Sequence, residues 1–214
     1  MTLCFFAMLV TGVEIVISHP RFYWGEDGNV NMPALFQLPI PASRGSVPTG
    51  YGYVLPDQNG WSRYLHFQAG WALVLTGLLY VVHGWRAGHF RRNLIPAKGE
   101  LTVGAVLAVI KGHLRFERPA EGAPYNVLQR LTYLIVVFGL VPAMVWTGLA
   151  MSPAFTAGFP FVVDWVGGFE SARTLHFLVT VALVLFLFAH IAMIFLAGFK
   201  SRMRSMTVGE KETV

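Results

Sequence analysis

Residues 174–199 read TLHFLVTVALVLFLFAHIAMIFLAGF, twenty-six consecutive positions without an Asp, Glu, Lys or Arg. A hydrocarbon core takes about 20 apolar residues of α-helix, so this stretch reads as a membrane span and decides the fold class. Its only histidines are His176 and His190, fourteen residues apart. Fourteen residues make almost four helical turns, so both rings project from nearly the same face, about 21 Å apart along the axis. An imidazole within lipid is unfavourable unless something satisfies it.

Three further apolar segments precede this one: residues 2–18, 65–85 and 127–151. The chain of 214 residues is 55% hydrophobic and 13% charged, with a mean hydropathy of +0.55. That balance fits a polytopic membrane protein and not a water-soluble domain around one core. The expected fold is all-α: an integral membrane bundle of four transmembrane helices (about 2–18, 65–85, 127–151 and 174–199) forming a single domain over 1–214. The first segment is short for a span.

The net charge of +5 could point to nucleic acid, but its distribution argues otherwise. Eight of the sixteen Lys and Arg fall between Arg86 and Arg130, and four more (Lys200, Arg202, Arg204, Lys211) lie in the C-terminal tail. The remaining connections hold only Arg21, Arg44, Arg63 and Arg173. The positive-inside rule therefore places the 86–126 connection and the 200–214 tail in the cytoplasm, with both termini inside. The 19–60 loop and the 152–173 loop then face outward. Within the cytoplasmic connection, Leu101 to Phe116 reads as a short amphipathic helix on the membrane surface. The outward 19–60 loop, rich in Pro, Gly and aromatic residues, is far longer than a hairpin between helices needs; it either caps the membrane face or docks a partner. No internal repeat or low-complexity segment stands out. Cys4 is the only cysteine, which excludes an intrachain disulfide, an iron–sulfur cluster and a covalently attached c-type haem.

Topology sorts the seven histidines. His66 lies near the outer start of the second span and His176 near the outer start of the fourth, so the two can face one iron from opposite sides. Two axial histidines leave no open iron position, which suits electron transfer and not oxygen binding. One helix offering a ligand at each of two depths, His176 and His190, suggests two stacked haems. His83 is the span histidine at a depth comparable to His190. Seventeen residues after His66, however, it is turned about 260° beyond full turns and points to another face. It also sits beside Trp85 and Arg86 at the interface, where a histidine needs no special role. His19, His89 and His113 read as surface residues. Gly70, Gly77 and Gly84 recur every seven residues and allow close approach of a neighbouring helix or a flat macrocycle.

The segments SHPRFYWG (18–25), RYLHFQAGW (63–71), GLLYVVHGWRAGHFRRNLIP (77–96), YNVLQRLTYL (125–134) and WTGLAMSP (146–153) resemble the bacterial cytochrome b561/Ni-hydrogenase cytochrome b superfamily. The likeness is closest to the thiosulfate-reductase-type cytochrome b subunits. It implies a four-helix membrane bundle holding two b haems, with His66, His176 and His190 at the positions of three axial ligands. The family's fourth ligand comes from the start of span one, usually beside a tryptophan; this sequence has no such residue, and the position falls before Met1. Together with the short first span, this leads to the expectation that the natural chain starts upstream, and that one haem instead of two is held if it does not.

The resemblance further implies electron transfer between membrane quinone and a partner oxidoreductase subunit at the outer, periplasmic face, of the molybdopterin-dependent type. It places the chain in the bacterial inner membrane as an electron-transfer subunit, not a catalytic one. The alternatives are a free-standing cytochrome b561-like quinol oxidase and a haem-free membrane anchor. An anchor or transporter would want charged or broken helices lining a path, and only Glu14 is a charged residue well inside a span.

Overall fold

The structure, a computed structural model, describes residues 2–28, 31–40, 46–48, 54–56, 60–96, 102, 104, 107, 111 and 127–196. The surface helix expected over Leu101–Phe116 falls almost wholly outside these residues, as do His113 and the basic tail. The chain is mostly helical: α1 (Thr2–Ser18), α2 (Gly60–Arg86), α3 (Val127–Ala150), the short α4 (Pro153–Thr156) and α5 (Phe161–Asp164), and α6 (Phe169–Leu196). By length and composition α2, α3 and α6 can each cross a membrane, while α1 is apolar but shorter, with 17 residues. Helices α2 and α6 both begin five residues before the apolar stretch that announces them. In α6 this extra turn carries Glu170, whose carboxylate is favoured near a helix N-terminus.

In α3, Pro142 cannot donate to the carbonyl one turn earlier, and just ahead of it the helix widens into a π turn over Val136–Leu140. A second π turn, Phe90–Leu94, follows α2; it buries Phe90 and Leu94 and leaves Arg91 and Arg92 exposed.

The polarity of the packing is inverted relative to a water-soluble fold. Several of the best-buried helical positions are small or hydroxylated: Thr11, Ser62, Ala69, Thr147, Ala150, Ser171, Ala172 and Thr174. Large apolar side chains point outward instead, among them Leu75, Leu79, Leu185, Phe188 and Phe195, each 60% exposed or more. Helices that approach through small residues and present Leu and Phe to their surroundings are built for lipid.

Two compact units are present, residues Met1–Gly84 with Val145–Phe177, and Trp85–Met144 with Leu178–Val214. In the first, α1 meets α2, and the segment that follows α1 folds over the start of α6. Ala150, Val162 and Ala172 form an apolar plug there, flanked by Trp146, Phe155 and Val166. In the second, Phe90 packs edge-on against Phe138 at 5.2 Å, and Tyr133 packs against Phe186 at 6.1 Å.

The segment after α1, longer than a hairpin between helices needs, begins with a strap clamped onto α6. Strand β1 (Arg21–Phe22) pairs antiparallel with β2 (Phe36–Gln37), and β3 (Ser46–Pro48) pairs antiparallel with β4 (Val54–Pro56). Gly25 carbonyl oxygen accepts from the Glu170 and Ser171 amides, at 2.9 and 3.3 Å, and the Glu26 carboxylate accepts from the Phe169 amide at 3.4 Å. The strap thus satisfies amides that a helix N-terminus leaves without internal partners. In return, Ser171 Oγ accepts from the Gly25 amide at 2.8 Å, and Thr174 Oγ1 donates to Tyr23 carbonyl at 2.6 Å. Arg173 donates to the carbonyls of Arg21 and His19 and to Glu170, and lies over the Phe22 ring. Gly168, at φ +110°, must be glycine: a Cβ there would sit 2.4 Å from the Gly25 carbonyl carbon.

This clamp should make docking of the strap depend on pH. Burial first, then the Arg173 guanidinium, hold His19 below its ordinary 6.5. With the strap undocked, the His19 ring takes up a proton as pH falls through that ordinary value; docked, it resists until lower pH. Docking is therefore unpenalised above about pH 6.5 and weakens between there and the lowered value, below which the penalty is complete. Limited proteolysis of the 27–59 segment should accelerate on acidification, and His19→Gln should flatten that profile; an unchanged profile in the variant would remove His19 as the cause.

Candidate functional site

His66, on α2, and His176, on α6, come together in the first unit with ring centroids 6.2 Å apart and planes at 62°. Imidazole–metal bonds run about 2.0–2.1 Å for zinc, and a ring nitrogen lies about 1.1 Å from its centroid. Two imidazoles on opposite sides of one metal ion therefore have centroids a little over 6 Å apart, which is the gap observed. Among the described residues no group of three or more His, Cys, Asp or Glu could form a metal cage. Two imidazoles at this spacing fit a metal that brings its own remaining ligands, as haem iron does with four ring nitrogens.

Each ring is held from behind by a hydroxyl on the neighbouring helix. Thr11 Oγ1, on α1, lies 3.0 Å from His66 Nδ1, and Thr147 Oγ1, on α3, lies 2.9 Å from His176 Nδ1. The Thr11 hydroxyl also donates back along its own helix, to Ala7 carbonyl at 2.7 Å or Met8 carbonyl at 3.2 Å. With its single proton used there, Thr11 Oγ1 can only accept from His66. The imidazole proton is thereby assigned to Nδ1, and Nε2 carries the lone pair that a metal needs. Glycine follows each threonine. A Cβ on Gly12 would lie 3.5 Å from His66 Cε1, and one on Gly148 would lie 3.5 Å from His176 Cε1. The absent side chains leave room beside the edge of each ring that leads to Nε2. Gly70 of the seven-residue series faces α1, where its Cβ would lie 3.8 Å from Met8 Sδ.

His190 lies in the second unit. Its Nδ1 is 3.3 Å from the Tyr133 hydroxyl, and its ring stacks on Phe186 at 5.7 Å. His83 is exposed near the C-terminal end of α2. Two histidines expected at the surface are half-buried instead: His19 beneath the Arg173 clamp, and His89, whose Nδ1 is 2.9 Å from Asn93 Nδ2.

The three hydroxyls were missed in the sequence, yet a signal for two of them exists. Ala7-Met8-Leu9-Val10-Thr11-Gly12 and Ala143-Met144-Val145-Trp146-Thr147-Gly148 share the pattern AMxxTG. Arg63-Tyr64-Leu65-His66-Phe67 and Arg173-Thr174-Leu175-His176-Phe177 share RxLHF. This corrects the reading that the chain has no internal repeat: a helix bearing Thr-Gly followed by a helix bearing Leu-His-Phe occurs twice. Tyr133 stands fourteen residues before Thr147, the same separation as between His176 and His190.

The sequence profile of the family described as prokaryotic cytochrome b561 matches residues 1–209. A protein of Azospira oryzae, named as protein-methionine-sulfoxide reductase subunit YedZ1, is 33% identical over 129 residues, covering 60% of this chain and 62% of that protein. The chain thus spans less than two thirds of that relative's length. No solved structure matches.

Proposed function

This chain belongs to the prokaryotic cytochrome b561 family, and we propose that it works as the membrane-embedded b-type haem subunit of an oxidoreductase. In this reading it passes electrons between the quinone pool and a partner at the outer face. The observation that carries the reading is the 6.2 Å gap between His66 and His176, with each Nδ1 already occupied by a threonine hydroxyl. A haem bound in that gap supplies a one-electron couple at its iron. His66 and His176 would hold it from both sides, closing the iron to dioxygen and to substrate. The small residues on the inward helix faces let α1 and α2 close on the pair and keep water from it. His190, held by Tyr133, would serve as a ligand for a second haem, whose other ligand comes from the start of span one in the pattern that the sequence resembles.

Four spans follow with α1 as the first, in the bacterial inner membrane, with both termini cytoplasmic and the 19–60 loop at the outer face. The name of the Azospira protein places it as a subunit of a reductase. That supports an oxidoreductase partner here, of the molybdopterin type that the resemblance implies, docked on the strap side. Quinol would then be the donor, with electrons running outward.

The test is a dithionite-reduced minus oxidised spectrum of the purified full chain, with haem counted per chain, followed by reduction with a short-chain quinol. A b-type spectrum reduced by quinol is the expected result. Absence of haem would sink the reading and leave a haem-free anchor; a haem that dithionite reduces but quinol does not would remove the quinone link alone.

A further inference from the structure

We propose that Thr11 and Thr147 are a matched pair of positioning residues: they fix the tautomer of both axial imidazoles and set the reduction potential of the haem between them. This rests on the haem reading of the His66–His176 pair. Three observations carry it. Each hydroxyl lies within 3.0 Å of the rear nitrogen of one ring. Both threonines are almost fully buried, at 1% and 4% exposure. Both sit in the same AMxxTG pattern, each opposite an RxLHF histidine.

The choice of a hydroxyl has an electronic meaning. The strongest acceptor for an axial imidazole N–H is a carboxylate, which draws the proton and makes the ring a more basic ligand. A more basic ligand stabilises the oxidised iron. A carboxylate would also bring a formal charge into the span, at a large cost. A threonine hydroxyl accepts the same proton without charge and more weakly. At Thr11 the oxygen is also turned toward the ring, because its own proton goes to Ala7 or Met8 carbonyl. The helix backbone therefore orients the acceptor, and the acceptor orients the ring. Without the hydroxyl, the Nδ1–H loses its side-chain acceptor, with the Met8 carbonyl still at hand for His66; the imidazole becomes a poorer donor, and the reduced iron is favoured. Because each threonine bonds a different imidazole, neither bond depends on the other, and their effects on the potential should be of the same sign and should add.

The experiment is a redox titration of the haem-loaded full chain carrying Thr11→Val, Thr147→Val, both together, and the two Thr→Ser variants. Valine keeps the branched shape and removes the hydroxyl, whereas serine keeps the hydroxyl and removes the methyl. Each valine variant should shift the reduced-to-oxidised ratio of the outer haem toward reduced by about fivefold at fixed ambient potential, the scale of one net hydrogen bond. The double variant should shift it by about the product, and the serine variants should match the parent. A haem-loaded valine variant with unchanged potential would overturn the proposal. If both valine variants lose haem while both serine variants retain it, the hydroxyl is required for ligand positioning and the proposal stands. If the serine variants lose it too, the threonines act by packing alone and the proposal fails. Absence of haem in the unmodified chain would instead overturn the haem reading on which the inference rests.

Discussion

Replacing His66 with alanine should remove one haem and leave the other, and His176→Ala should remove the same one. Their ring centroids lie 6.2 Å apart, a separation that suits a shared metal ion. Losing either ring leaves a one-sided site and takes the imidazole partner from Thr11 or Thr147. In a two-haem protein, haem per chain should fall by about half in each single variant. The double variant should look like either single one, since two ligands of one iron act as a unit. His190→Ala should remove the other haem, and His83→Ala should change nothing. The measurement is haem per chain with the low-spin ferric resonance spectrum of each variant. Normal haem content in His66→Ala would refute the assignment, as would His66→Ala and His176→Ala losing different haems.

The second large effect is expected at Arg173. Its guanidinium joins three partners on two segments: the carbonyls of His19 and Arg21 on the strap and the carboxylate of Glu170 on its own helix, the last at 2.9 Å. Arg173→Ala leaves two strap carbonyls without this donor and a partly buried carboxylate without its cation. At roughly 1–1.5 kcal/mol for each of the two bonds to the strap, after discounting for partial exposure, the strap should lose about 2–3 kcal/mol of docking energy. Cleavage of the 27–59 segment by protease should then rise by about two orders of magnitude. Arg173→Lys should recover little, because a single ammonium cannot reproduce the planar fork that serves both carbonyls. Cleavage at the parent rate in Arg173→Ala would show that the Phe22–Phe36–Phe177 stack and the Gly25 contacts hold the strap without it.

The sequence made the histidine pair legible for a physical reason. Topology fixes depth, helical pitch fixes facing, and together they matched His66 with His176. Nothing comparable announces Thr11 or Thr147, because a threonine in an apolar helix reads equally well as a small packing residue. Only the alignment of one AMxxTG with the other singles them out. The strap is less legible still. Arg21–Phe22 and Phe36–Gln37 make a ladder of two residue pairs, too short for local propensity to specify. The strap holds its place through Arg173, Ser171 and Thr174, about 150 positions later in the chain. The helices α2 and α6 begin about a turn before the spans expected from the sequence, because polarity marks where lipid ends and a helix can continue past it.

The inverted packing of this chain bears on how its sequence can drift. Where hydroxyls, methyls and glycines line the inside, almost every replacement is larger than the residue it displaces, and close-packed helices have little room to give. The outward positions, such as Leu75, Leu79, Leu185 and Phe188, need only remain apolar. Substitutions should therefore accumulate on one side of each helix and be purged from the other. Across related chains, the most variable face will be the greasiest one, and the most invariant will be the side that carries the smallest residues.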